Sequence, residues 1–343
     1  MPYMKRYLGR VAFSSGATSV FPLPREHFYN RLLLDFECVA QASTANTYVA
    51  NAHKLLATNI SIIANGQLVI KSFSEYQKYI NNYLNYGTPS YEIGAGVAAD
   101  NTARSLYIVI EFGINTADVT CVLPSQLLSS LDLRITWNTT AALTGGGTLN
   151  TSQYCDVYSL ELINQGQDAS AAIINKETVL TLTPASTGFT EFNLPLGNVY
   201  RQFTLFTQGG ATGTGYHNDT VTDIQVVQDG VVYHRNTFYL ENLAETIIES
   251  AGIIDPTVAQ GTGLSPTQTA SMNAGAVLLM FDYQNWNAGG SSNPVALVNA
   301  LPHMPDSSKM ATFKVRCNIP SVANAIVLDL LMQELILPKV RRQ

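Results

Sequence analysis

The chain has 343 residues, of which 46% are hydrophobic and only 13% charged, and 25 acidic against 19 basic side chains leave a net charge of −6. That balance excludes a protein that neutralises phosphates over its whole surface, which needs an excess of Lys and Arg. A charged fraction about half the usual share means that much of the surface faces something other than free water, and the length allows two domains that each bury a core.

The first elements form a recurring pattern. Arg10-Val11-Ala12-Phe13 leads through a Ser/Gly turn to Val20-Phe21-Pro22-Leu23-Pro24, then to Tyr29 and the apolar run Leu32-Leu33-Leu34-Asp35-Phe36. Far downstream, Val179-Leu180-Thr181-Leu182 leads to Phe192-Asn193-Leu194-Pro195, then to Tyr200 and Phe203-Thr204-Leu205-Phe206. The Leu-Pro pair, the tyrosine and the following strand all repeat at one offset of 171 residues, which points to an internal duplication.

The next block repeats as well. Asn59 to Ile70 answers Asp223 to Tyr233, with Ile60, Ile62 and Leu68 falling on Ile224, Val226 and Val232. Asn65-Gly66 in one copy and Asp229-Gly230 in the other, each between β-branched runs, predict a two-residue hairpin whose central residues both take positive φ.

Both copies then switch to helical spacing, at Phe73, Tyr76, Tyr79, Ile80, Tyr83 and Leu84 and at Leu240, Leu243, Ile247 and Ile248, so a short amphipathic helix is expected after each hairpin. Further strands are expected at Leu106 to Phe112, Leu131 to Trp137 and Val157 to Ile163. Their counterparts are Val277 to Tyr283, Thr312 to Cys317 and Ile326 to Met332.

Eight short strands per half are too many for one flat sheet. The expected fold is all-β: two tandem eight-stranded jelly rolls, a double jelly roll, over residues 1–170 and 171–343. Gln165 to Lys176 is the expected connection.

Local signatures of catalysis are missing. The histidines His27, His53, His217, His234 and His303 form no HxH or HxxxH pair, so no metal site is expected. The cysteines Cys38, Cys121, Cys155 and Cys317 form no CxxC pair and read as buried free thiols.

The glycine-rich Gly209 to Gly215 precedes a strand and lacks a following Lys-Ser or Lys-Thr, so it reads as a loop and not a phosphate cradle. No GxSxG elbow is present, and no cofactor or catalytic residue is expected. Tyr76, Tyr79, Tyr83 and Tyr86 read as packing rather than as a stacking platform for nucleic acid.

Six basic residues gather at the ends: Lys5, Arg6 and Arg10, then Lys339, Arg341 and Arg342. They are either solvated termini or an attachment to an anionic membrane or genome. No N-terminal segment combines a basic start with an apolar run and a small-residue cleavage site, and the most apolar stretch, Ala323 to Leu337, is interrupted by Asp329 and Glu334, so neither a signal peptide nor a membrane span is expected.

With matched hairpin and helix blocks and no active-site signature, the chain resembles the double jelly-roll major capsid proteins of the adenovirus and tectivirus lineage, tailless icosahedral viruses that often carry an internal membrane. The resemblance implies a homotrimer with six barrels about a threefold axis, a pseudo-hexagonal tile of the virion shell. It implies as partners the chain itself, neighbouring capsomers, vertex (penton) and minor capsid proteins and membrane lipids, with little direct nucleic-acid binding.

Synthesis in the host cytoplasm and chain ends turned toward the shell interior are implied too. Crown loops are then expected at Thr139 to Tyr154, Gly209 to His217, Ile253 to Asn273 and Gly289 to Pro294. The alternative is a carbohydrate-binding or adhesive β-sandwich protein.

Overall fold

A computed structural model of the chain describes residues 3–41, 54–86, 92–93, 103–113, 120–144, 148–149, 153–163, 171–210, 216, 220–236, 275–281 and 301–338. They fall into two compact units, one running to Lys176 and the other over Glu177–Leu337 apart from a short piece near residue 84.

In the first, the long strands are β1 (Tyr3–Ala12), β2 (Thr18–Pro22), β3 (Phe28–Gln41), β4 (Ala57–Ala64), β5 (Leu68–Phe73), β6 (Ala103–Glu111), β7 (Leu131–Trp137) and β8 (Tyr154–Leu162). Helix α1 (Glu75–Tyr86) follows β5 and helix α2 (Thr140–Thr144) follows β7. Two-residue strands at Glu92–Ile93, Leu123–Pro124 and Thr148–Leu149 add to the edges of β6 and β3.

The second unit has β9 (Ile174–Leu182), β10 (Gly188–Asn193), β11 (Val199–Gly210), β12 (Asp223–Gln228), β13 (Val231–Asn236), β14 (Ala276–Met280), β15 (Phe313–Ile319) and β16 (Asn324–Ile336). The orders are β1-β8-β3-β6 and β2-β7-β4-β5 in the first unit, and β9-β16-β11-β14 and β10-β15-β12-β13 in the second. Adding eight to each label turns one set into the other. Both halves are therefore eight-stranded jelly rolls, as the repeat predicts.

The repeat extends to single hydrogen bonds. Tyr29 donates its hydroxyl to the Pro24 carbonyl at 2.7 Å, and Tyr200 donates to Pro195 across the same five-residue span. Both rings are fully buried, so burial pushes both phenols well above their ordinary pKa. The neighbouring Leu23 and Leu194 each send a backbone N–H to the first residue of the partner strand, Leu131 at 2.8 Å and Phe313 at 2.9 Å.

The hairpin turns share their conformation, although the expected two-residue connection holds only in the second: Gln228 pairs with Val231, whereas Ala64 pairs with Leu68 and leaves three residues, Asn65, Gly66 and Gln67, between them. Asn65 and Gly66 have φ of 53° and 73°, Asp229 and Gly230 have 49° and 81°, the left-handed pair that a type I′ turn requires. The Asn65 carboxamide oxygen accepts from Ser129 N at 2.7 Å, and an Asp229 carboxylate oxygen accepts from Ala311 N and Thr312 N, both at 2.8 Å. Each turn is thus tied to the segment entering the next strand of its sheet.

Period-two burial supplies the cores. β7 and β15 alternate buried and half-buried residues over their whole lengths, with Leu131, Leu133, Ile135 and Trp137 inward in one and Phe313, Val315, Cys317 and Ile319 in the other. Each such side chain contributes roughly 1.5–3 kcal/mol by leaving water. Trp137 satisfies its indole N–H with Ser19 Oγ at 2.9 Å.

Helix α1 begins with a capping box: Ser74 N donates to Gln77 Oε1 at 2.9 Å and Gln77 N donates to Ser74 Oγ at 3.2 Å. The expected second helix, Leu240 to Ile248, lies outside the described residues. Two expectations change: β1 starts at Tyr3, well before Arg10, and β9 begins at Ile174, inside the stretch read as a connection.

Replacing Tyr29 or Tyr200 by Phe removes one buried hydroxyl bond and leaves a proline carbonyl unsatisfied, costing about 1–3 kcal/mol each. Chemical denaturation of the two variants should show similar losses that add in the double variant, because the sites lie in separate rolls.

Candidate functional site

The basic N-terminal residues belong to a sheet rather than to a frayed end. Lys5, Arg6 and Arg10 lie on β1, antiparallel to β8. Arg10 forks onto Asp156 at 2.8 and 2.7 Å, and its guanidinium stands 3.4 Å from the centre of the Tyr154 ring. Arg6 bridges Glu26 at 3.0 Å and the buried Glu161 at 3.1 Å, while the Lys5 ammonium lies 5.9 Å from the Tyr158 ring. Lys339, Arg341 and Arg342 lie outside the described residues.

Strand register makes these contacts part of one outward row. Arg10 faces Asp156, Asp156 faces Asp35, and Asp35 faces Tyr107 across β1, β8, β3 and β6. The Arg10 bond holds the Asp156 carboxyl below its usual range. Asp35 goes the other way, raised by burial and by the neighbouring Asp156 charge despite the Tyr107 hydroxyl. Like charges directly opposite in a sheet repel, and Arg10 offsets that repulsion.

On the second roll, Glu191 of β10 receives Lys314 at 2.8 Å and Arg316 at 2.9 Å from β15, and Arg316 also covers the exposed Phe189. Arg235 of β13 pairs with Asp223 at 3.0 Å. The charges of these faces are largely matched within the chain, and what they expose is apolar: Tyr7, Val20, Phe189, Val231, Val232 and Tyr233.

All four cysteines are buried free thiols. Burial raises the Cys155 thiol and pushes Cys317 up to about 12, so both are protonated and non-nucleophilic at neutral pH. Among the described residues no group of three or more His, Cys, Asp or Glu is arranged to hold a metal ion. No described helix is long and apolar enough to cross a membrane.

Glu75, the first residue of α1, is buried and accepts from Ala57 N at 2.7 Å, and desolvation keeps its carboxyl well above the ordinary range. It ties the helix to the start of β4, a role that its position in the sequence does not reveal.

The glycine-rich segment is only partly a loop. Gly209 and Gly210 end β11, and a Cβ at Gly209 would stand 1.9 Å from the Ala325 carbonyl oxygen, so close strand packing demands glycine there. Of the other expected crown segments, Thr139 to Tyr154 carries α2 and the strand at Thr148–Leu149. Ile253 to Asn273 and Gly289 to Pro294 lie outside the described residues.

No family model and no curated protein matches the chain. Solved structures do. The STIV major capsid protein superposes with a TM-score of 0.71 over 100% of this chain and 99% of its own, at 12% identity. VP54 of PBCV-1, fitted into a reconstruction of the virophage Sputnik, gives 0.61 over 97% and 93% at 10% identity. The major capsid protein P2 of bacteriophage PM2 gives 0.55 over 98% of each chain at 10% identity. The chain has the fold of these proteins from end to end.

The opposite displacements of Asp35 and Asp156 predict opposite pH effects. Asp35, with a raised pKa, opposes folding once pH climbs through that value, so Asp35→Asn should raise Tm at pH 7 and leave it unchanged at pH 3. Asp156, with a lowered pKa, stabilises at neutral pH and ceases to do so on acidification through its depressed value. Arg10→Ala should therefore lower Tm at pH 7 and much less at pH 3 in the same thermal scans.

Proposed function

We propose that this chain is the major capsid protein of an icosahedral virus, acting as a structural protein and not as an enzyme. The observation that carries the reading is the double eight-stranded jelly roll, matched along its full length by solved viral capsid proteins. Three copies of a chain with two equivalent rolls place six barrels about a threefold axis, so a closed trimer tiles as a pseudo-hexagon.

In this reading the domains 1–170 and 171–343 supply alternate barrels of the capsomer wall. The low charge suits it, since large obligate interfaces deplete charge at their centres. The capsomer is made in the host cytoplasm and meets vertex and minor capsid proteins in the shell.

The chain ends are proposed to face the interior. Arg6 and Arg10 are already committed to carboxylates, so attraction to an anionic lipid surface falls to Lys5, Lys339, Arg341 and Arg342, at about 1 kcal/mol per charge near such a surface.

Light scattering of the purified protein should give about 112 kDa, three times the 37.2 kDa chain, and negative-stain images should show hexagonal tiles. An elongated monomer at high concentration would overturn the reading. Replacing Lys339, Arg341 and Arg342 by Gln should leave the trimer intact and weaken co-sedimentation with phosphatidylserine vesicles, an effect that salt should mimic.

A further inference from the structure

The two hairpin turns differ in one functional group, a carboxamide at Asn65 and a carboxylate at Asp229. Asn65-Gly66 is the only Asn-Gly pair in the chain, and both residues are exposed. In a flexible chain such a pair reacts with itself, because the glycine nitrogen has no neighbouring Cβ to shield it. The Gly66 nitrogen attacks Asn65 Cγ, the N–Cγ bond forms, the Cγ–Nδ2 bond breaks, and Nδ2 leaves as ammonia with the proton from Gly66. Water then opens the cyclic imide. Cleavage of the new N–Cγ bond leaves an ordinary aspartate at position 65, and cleavage at the main-chain carbonyl leaves a chain that runs through the side chain.

The folded turn opposes the first step. Asn65 and Gly66, with φ of 53° and 73°, lie at the centre of a turn closed by Gln67 N on the Ala64 carbonyl at 3.2 Å. A type I′ turn sets ψ of its first central residue to about +30°, which puts the next nitrogen nearly opposite Cβ across the Cα–C bond. The Gly66 nitrogen and Asn65 Cγ are thus held apart. Ser129 fixes the side chain as well, donating from N at 2.7 Å and from Oγ at 3.0 Å to Asn65 Oδ1.

The second roll shows what the product would look like in place. Asp229 has the same positive φ, and one carboxylate oxygen accepts from both Ala311 N and Thr312 N. The backbone bonds agree too: Asn65 N donates to Ser130 O and Asp229 N to Thr312 O, both at 3.0 Å. A carboxylate at position 65 would meet the two Ser129 donors in charge-assisted bonds.

We propose that Asn65 is a deamidation site that the folded hairpin closes and that any opening of the hairpin exposes, and that the fold accepts the aspartate product. The other product adds a methylene to the main chain within the turn, which breaks its closing bond. Aspartate at position 65 in folded protein therefore records time that the chain spent with this hairpin open.

The test follows the full chain at pH 8, folded and in guanidinium, with peptide mass spectrometry reading the gain of one mass unit at position 65. Conversion should be slower in the folded protein by on the order of tenfold or more, since only the open fraction reacts. At pH 7 the Asn65→Asp variant should melt at or above the wild-type Tm. Asn65→Ala, which loses both the acceptor and the tolerance of positive φ, should melt below both. Equal rates in the two conditions, or no conversion in guanidinium, would overturn the site. An Asn65→Asp variant that melts as low as Asn65→Ala would overturn the acceptance of the product.

Discussion

A jelly roll must carry its chain from one sheet to the other without stranding backbone groups in a dry interior, and here a buried tyrosine hydroxyl meets that demand twice. Between β2 and β3 the chain leaves one sheet for the opposite one, and the Pro24 carbonyl at that corner is capped by Tyr29. Pro195 and Tyr200 do the same between β10 and β11. The tyrosine ring fills the core beneath the crossing while its tip satisfies the peptide group. With the crossing fixed, the alternating faces of β3 and β7, and of β11 and β15, point at each other.

The hairpin turns add a second constraint of the same kind. A side-chain oxygen at a position of positive φ reaches across to the segment that enters the neighbouring strand, Ser129 in one roll and Ala311 with Thr312 in the other. Asn and Asp suit the position twice over, since both tolerate the left-handed region and both present an acceptor. The duplication therefore preserved bonds at the turns and crossings, where few residues can serve, and let the core side chains drift within their apolar class.

What diverged most between the copies is surface. The outward row of the first roll mixes tyrosines with Asp35, Asp156 and Arg10, whereas the second roll sets Glu191 between Lys314 and Arg316. In both, charges are consumed locally, which leaves apolar side chains as the groups open to contact. A protein of low charge that further neutralises itself in pairs is suited to lying against copies of itself rather than against bulk water.

The amino-acid sequence by itself determined the features that obey local rules: the repeat, the two hairpins, the strand alternation and the helix after the first hairpin. Each depends on φ preferences or on a periodicity of two or 3.6 that a few adjacent residues display. Only the tertiary structure decided where Arg6 and Arg10 go, because Glu161 and Asp156 lie 155 and 146 residues away and meet them through strand register. It alone showed that Gly209 is pressed against a neighbouring strand and that Glu75 anchors a helix. Burial is a property of what surrounds a strand, and no local pattern encodes it.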